Sequence, residues 1–220
     1  MPSEFDTPRR GFFGKIAIGA AALASGAALP RLLAAAPDPG DDWMRTLTGK
    51  HRTVFDLSSH KNGKPLAQAR NYLNGWRDAF HVPDAEVNLV IGIHGEGIPI
   101  VLNDALWSRF KLGEQYEMAD AATKAPATVN VFTAPHVVAG GPLTAEQTVE
   151  ALQARGVRFI VCMNTIAGAT NKLSGAGFGA PADVRAALLG GLLPGVITVP
   201  AMVVAFTQLQ ERGLGYTKIA

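Results

Sequence analysis

The chain has 220 residues, of which 48% are hydrophobic and 17% charged, and it contains a single cysteine, Cys162. That length and composition suffice for one buried core, and one cysteine excludes an intrachain disulfide. The net charge is +2, but Arg9, Arg10, Lys15 and Arg31 lie in the first 36 residues beside Glu4 and Asp6. The remainder is therefore near neutral and offers no electrostatic footprint for nucleic acid or an anionic membrane surface.

The chain opens with Thr7-Pro8-Arg9-Arg10-Gly11-Phe12-Phe13-Gly14-Lys15, followed by an apolar run from Ile16 to Leu29 and small residues at Ala34, Ala35 and Ala36. This order is that of an export signal with a basic start, an apolar middle and a small-residue cleavage zone. The paired arginines followed by Phe and Lys resemble the twin-arginine (Tat) consensus, whose route carries folded proteins. The alternative is a membrane anchor, but a spanning helix needs about 20 apolar residues, and Gly19 and Gly26 interrupt this run. The expected organisation is a signal over 1–36, a linker over 37–50 and one domain over 51–220. The expected location is the periplasm, with membrane contact only through an uncleaved signal.

Thr53–Leu57 is a short strand candidate, and Leu66, Ala69, Leu73, Trp76 and Phe80 recur at helical spacing. Val87–Ile93 is the clearest early strand. A helix is expected over Ile98–Phe110. Asp120–Pro142 holds three prolines and a Gly-Gly pair and reads as an irregular excursion. Thr144 with Gln147 three residues on forms a capping box, so the next helix is expected to run from there to Arg155. Val157–Cys162 is a buried-type strand. Gly175–Gly191 is glycine-rich, with a helical piece over Ala182–Leu189. Val196–Val199 is a strand, Ala201–Arg212 a helix whose first part, Ala201–Phe206, is apolar nearly all round, and Tyr216–Ile219 a last short strand. Alternating strands and helices predict a parallel-type sheet with helices on both faces.

Ligands of such sheets bind at the carboxyl ends of the strands. Two ends stand out: Ile93-His94-Gly95-Glu96-Gly97 and Val161-Cys162-Met163-Asn164-Thr165. Cys162 is the candidate nucleophile. A helix turn beginning there would aim backbone N–H groups at its sulfur; the competing reading is a cysteine that simply closes an apolar strand. His94 and Gly95 are candidate ligand contacts, or a satisfied histidine in a turn. Asn164 and Thr165 either bind a ligand or cap the next helix. Gly175-Ala176-Gly177-Phe178-Gly179 has the wrong spacing and context for a dinucleotide loop. The five histidines show no zinc-type spacing. There is no nucleophile elbow, and the residues name no cofactor.

The run Leu152–Thr165, with Arg155-Gly156-Val157 before the strand and Asn164-Thr165 after Cys162, resembles the core of the DsrE-like family. Leu192-Leu193-Pro194-Gly195-Val196 followed by a strand, a helix and Gly213-Leu214-Gly215-Tyr216 resembles its second half, and Val87–Gly97 its strand ending in His-Gly-x-Gly. The resemblance spans Val87–Ala220. It implies a single three-layer α/β domain of flavodoxin-like, DsrE-like type with a mainly parallel sheet, assembled as a homo-oligomer. It implies that Cys162 carries sulfur as a persulfide, received from or passed to a partner protein or a small sulfur compound. It also leaves room for a cover over Cys162 formed by Thr170–Leu189. Two other readings remain: a non-catalytic ligand- or partner-binding protein with Cys162 in the core, and a metal or haem binder using His94 and Cys162.

Overall fold

The computed structural model describes residues 42–219; the export signal expected over 1–36 lies outside them. Five strands, β1 (His51–Ser59), β2 (Val87–Glu96), β3 (Arg158–Cys162), β4 (Ile197–Val199) and β5 (Gly215–Ile219), form one sheet in the order β4-β3-β2-β1-β5. Every pairing is parallel. The expected three-layer α/β domain is thus present and its sheet is wholly parallel. Its strand order differs from the 2-1-3-4-5 order of flavodoxin itself.

The order dictates where the helices go. From β1 to β4 the chain steps in one direction, so right-handed crossovers place every connection on the same face. These are α1 (Lys64–Phe80), α2 (Asp104–Arg109), α3 (Leu112–Gln115), α4 (Val149–Ala154), α5 (Met163–Gly175) and α6 (Pro181–Gly190). Their buried side chains join Phe55, Leu57, Leu89, Ile91, Ile93, Phe159 and Val161 in one large core. The last step returns from one edge to the other, and α7 (Met202–Glu211) therefore crosses the opposite face. Met202, Ala205, Phe206 and Leu209 of α7 pack on Val54, Val90, Ile160, Cys162 and Val199 in a second, smaller cluster.

Close approach of α7 requires Gly92. A Cβ there would lie 2.4 Å from Phe206 Cε1 and 2.8 Å from Met202 Sδ. Residues of the expected linker also reach this face, where Met44 and Leu47 are buried in the same cluster.

Three sequence expectations change. The helix expected over Ile98–Phe110 is broken into a 3-10 turn, Ile98–Val101, and α2. Leu102 is extended and bridges Leu192, and the Asn103 side chain accepts from Leu106 N–H at 3.1 Å to begin α2. The capping box at Thr144 forms, but it closes a 3-10 turn, and Thr148 caps α4 afresh. Thr170–Leu189 does not form a cover over Cys162; of this segment Lys172 reaches the cleft. Val184 and Leu188 of α6 are buried in the large core on the other face, and the segment is needed there.

One buried side chain ties the excursion after α3 to the segment before α2. Asn130 donates to the carbonyls of Leu102 (2.7 Å) and Ile100 (3.0 Å) and accepts from Phe132 N–H (2.9 Å). An extended carboxamide thus replaces the regular ladder that a proline-rich segment cannot form.

Candidate functional site

The carboxyl end of the sheet opens where neighbouring connections diverge. After β3 the chain turns to the large-core face as α5; after β4 it turns to the opposite face as α7. Between them lies a cleft of about 640 Å³. Its walls are the first turns of α5 (Asn164, Thr165, Gly168) and of α7 (Met202, Val203, Phe206), and its floor is formed by the strand ends carrying Asp56, His94 and Cys162.

These three residues meet through register and alternation. Asp56 pairs with Gly92, and Ile93 pairs with Val161, so His94 and Cys162 follow at neighbouring positions. Alternation along each strand then places Asp56, His94 and Cys162 on the α7 face. His94 Nε2 lies 2.5 Å from Asp56 Oδ1, and Tyr216 from β5 donates its hydroxyl to Asp56 Oδ2 at 2.5 Å. Both carboxylate oxygens of this buried aspartate are thereby occupied. The hydrogen bond to Asp56 raises the Tyr216 hydroxyl above its ordinary range, with burial and the carboxylate charge adding to it. Phe206 stacks edge-on against both His94 and Tyr216.

Cys162 is the N-cap of α5. Its sulfur accepts from Thr165 N–H at 3.3 Å and lies 3.1 Å from the Thr165 hydroxyl. The two sequence alternatives for Cys162 coexist: the side chain is only 4% exposed, yet it lines the cleft at a helix N-terminus. Thr165 is a sulfur partner rather than a cap. Asn164 is exposed at the rim. Gly95 takes a left-handed φ of +54°, and a Cβ there would stand 3.0 Å from the Ser58 carbonyl, so the turn after β2 requires glycine. The five residues singled out from the sequence, Cys162, His94, Gly95, Asn164 and Thr165, all line this one cleft.

The far end of the cleft is polar. Lys172, two turns along α5 from Thr165, pairs with Glu96 at 3.4 Å and sits 3.8 Å above the Tyr116 ring. Burial, then the charge of Glu96, raises the Tyr116 hydroxyl well above its ordinary range. A second hollow of about 430 Å³ lies beyond this pair, lined by His60, Gln115 and Glu117.

Sequence reasoning missed Asp56, Tyr216, Glu96 and Lys172 as site residues. Asp56 had a signal: it is a carboxylate at an inward position of the apolar strand Thr53-Val54-Phe55-Asp56-Leu57, where a buried charge demands a partner. Among the described residues, no group of three or more His, Cys, Asp or Glu side chains is placed to share a metal ion, and no helix is long and apolar enough to cross a membrane.

No protein-family model and no curated protein matches the chain. Among solved structures, a protein of unknown function from Methanobacterium thermoautotrophicum is similar at 18% identity and a TM-score of 0.41, over 77% of this chain and 99% of that one.

Proposed function

We propose that this protein is an exported, DsrE-like sulfur carrier that takes sulfane sulfur on Cys162. The observation that carries the reading is the placement of the sulfur. Cys162 Sγ lies at the floor of the cleft, accepting from Thr165 N–H, with the Thr165 hydroxyl 3.1 Å away and able to donate to a thiolate. Such donors stabilise negative charge on sulfur, and a thiolate is the form that attacks another sulfur. The cleft has room for a small organic persulfide or polysulfide, or for the end of a partner's chain.

The test is the intact mass of the protein after exposure to polysulfide, with and without reductant. A reducible gain of whole sulfur atoms that is absent from Cys162→Ser supports the carrier reading. No gain, with Cys162 unreactive to thiol reagents until unfolding, overturns it. That outcome favours the second reading, a non-catalytic binding protein, which the 4% exposure of Cys162 supports.

The proposal extends to location and assembly. The twin-arginine pattern supports export to the periplasm. On α7, Val203 is 73% and Val204 51% exposed beside the cleft, which supports self-association through that face.

A further inference from the structure

We infer that His94 is the proton acceptor for the Cys162 thiol, and that Asp56 and Tyr216 are positioning residues that hold its ring for that task. The inference rests on the reading of Cys162 as the reacting group and adds residues to it.

The argument begins with the shape of an imidazole. Nε2 and Cδ2 form one edge of the ring; Nδ1 and Cε1 form the opposite edge. Nε2 is committed to Asp56 on β1. The other edge therefore faces away from β1, towards β3, where Cys162 occupies the neighbouring position. With Asp56 ionised and accepting, the ring proton belongs on Nε2, and Nδ1 presents a lone pair to the cleft. The Tyr216 hydroxyl on the second carboxylate oxygen keeps Asp56 from turning to another partner. A nucleophile, a base and an orienting carboxylate thus come from three adjacent strands, the arrangement by which a thiol is activated elsewhere in chemistry. His94 and Cys162 share no hydrogen bond in this structure; the thiol is held by Thr165, and apo sites often tighten only when substrate arrives.

The step balances. The Cys162 thiol gives its proton to His94 Nδ1, and its sulfur attacks the terminal sulfur of a small organic persulfide, R–S–SH. The donor's S–S bond breaks as the new Sγ–S bond forms. The departing R–S⁻ takes the proton from Nδ1 and leaves as R–SH. One thiol and one persulfide are consumed and one of each is formed, with no external oxidant or reductant.

The titratable groups lining the cleft around His94 are Asp56 from β1, Cys162 from β3 and Tyr216 from β5, with Tyr116, Glu96 from its own strand and Lys172 from α5 farther along; α7 presents only Met202, Val203 and Phe206. A pH profile must therefore be read against variants. The experiment measures the alkylation rate of Cys162 by a small neutral reagent from pH 5.5 to 10, beside its rate of sulfur uptake from an organic persulfide. Both are measured in the unaltered protein, in Asp56→Asn and in Tyr216→Phe. Alkylation reads deprotonation of the thiol without needing a sulfur donor. The expected result is a loss of about 10–100-fold at pH 7 in Asp56→Asn, a smaller loss in Tyr216→Phe, and recovery near pH 10, where solvent ionises a thiol unaided. A loss that is uniform across the pH range, or no loss, overturns the inference. So does a ¹⁵N spectrum placing the proton of His94 on Nδ1, which also serves if Asp56→Asn fails to fold. An alkylation profile as expected, with no sulfur taken up, instead overturns the carrier reading and leaves the His94 assignment standing.

Discussion

Replacing Gly92 by Ala adds one carbon where α7 rests on the sheet. The new Cβ would stand 2.4 Å from Phe206 Cε1, 2.7 Å from Cζ and 2.8 Å from Met202 Sδ. Carbon–carbon contact is comfortable at about 3.5–4.0 Å, so the ring edge must retreat by roughly 1.2 Å. The Met202 thioether can bend away cheaply. Phe206 has less freedom, because His94 and Tyr216 stack against it with ring centroids 6.5 Å and 5.6 Å away. Overpacking of this kind costs about 1–3 kcal/mol. For a domain of this size, that lowers Tm by roughly 3–9 °C. It lowers the urea midpoint without changing the slope, because the surface exposed on unfolding is unchanged. Phe206→Leu removes the offending ring atoms, so the double variant should be more stable than the sum of the single losses, with a coupling of about 1 kcal/mol or more. Urea unfolding of all four proteins measures it. A Gly92→Ala variant as stable as the unaltered protein, or strict additivity with Phe206→Leu, would refute the reasoning that Phe206 sets the distance between α7 and the sheet.

Asn130→Ala should cost about 2–4 kcal/mol, because it strips several hydrogen bonds and leaves buried carbonyls of Ile100 and Leu102 and the N–H of Phe132 unpaired; thermal unfolding tests this, and a loss below 1 kcal/mol contradicts it. His60 is held below its ordinary value of 6.5 chiefly by burial, with Lys61 adding to this, while the Tyr116 carbonyl, Glu96 and Glu117 oppose. The unfolded chain therefore binds a proton at His60 more readily than the fold does, so stability is full above that value and declines as pH falls below it. The urea midpoint should drop between pH 7.5 and 5.5, and His60→Gln should flatten the drop; an equally steep drop in the variant excludes His60 as its source. Asn103→Ala, which removes the cap of α2, should cost about 1 kcal/mol in the same assay.

The strands were legible because parallel strands buried on both faces read as near-continuous apolar runs. Val87–Ile93 and Val157–Cys162 announce themselves in this way, and the structure extends the first by three residues to Glu96. The break after Gly97 was hidden because Ile98-Pro99-Ile100-Val101-Leu102 is apolar enough for a helix. Tertiary burial decides its shape: all five residues are buried, and the bridge from Leu102 to Leu192 draws the segment out. At the site, the loop glycines and Cys162 marked both strand ends. Asp56 and Tyr216 stand 160 residues apart. Only the placement of β1 between β2 and β5 brings them together, and local pattern carries no information on which strands are neighbours.

Because α7 and the short segment around Met44 and Leu47 cover the second face, the sheet divides the side chains into two populations under different demands. Those on the crowded face, including Trp107, Phe110, Phe132 and Phe159, answer to the packing of six helices at once. Those beneath and along α7 answer chiefly to a single ten-residue element. The exposed positions of α7, Val203 and Val204, can therefore change with little consequence for the rest of the molecule, while Met202, Ala205, Phe206 and Leu209 remain tied to the sheet beneath them. Libraries at Val203, exposed on the cleft wall, would retune what enters the cleft, whereas Met202 and Phe206 also hold α7 to the sheet and can change only together with what they pack on.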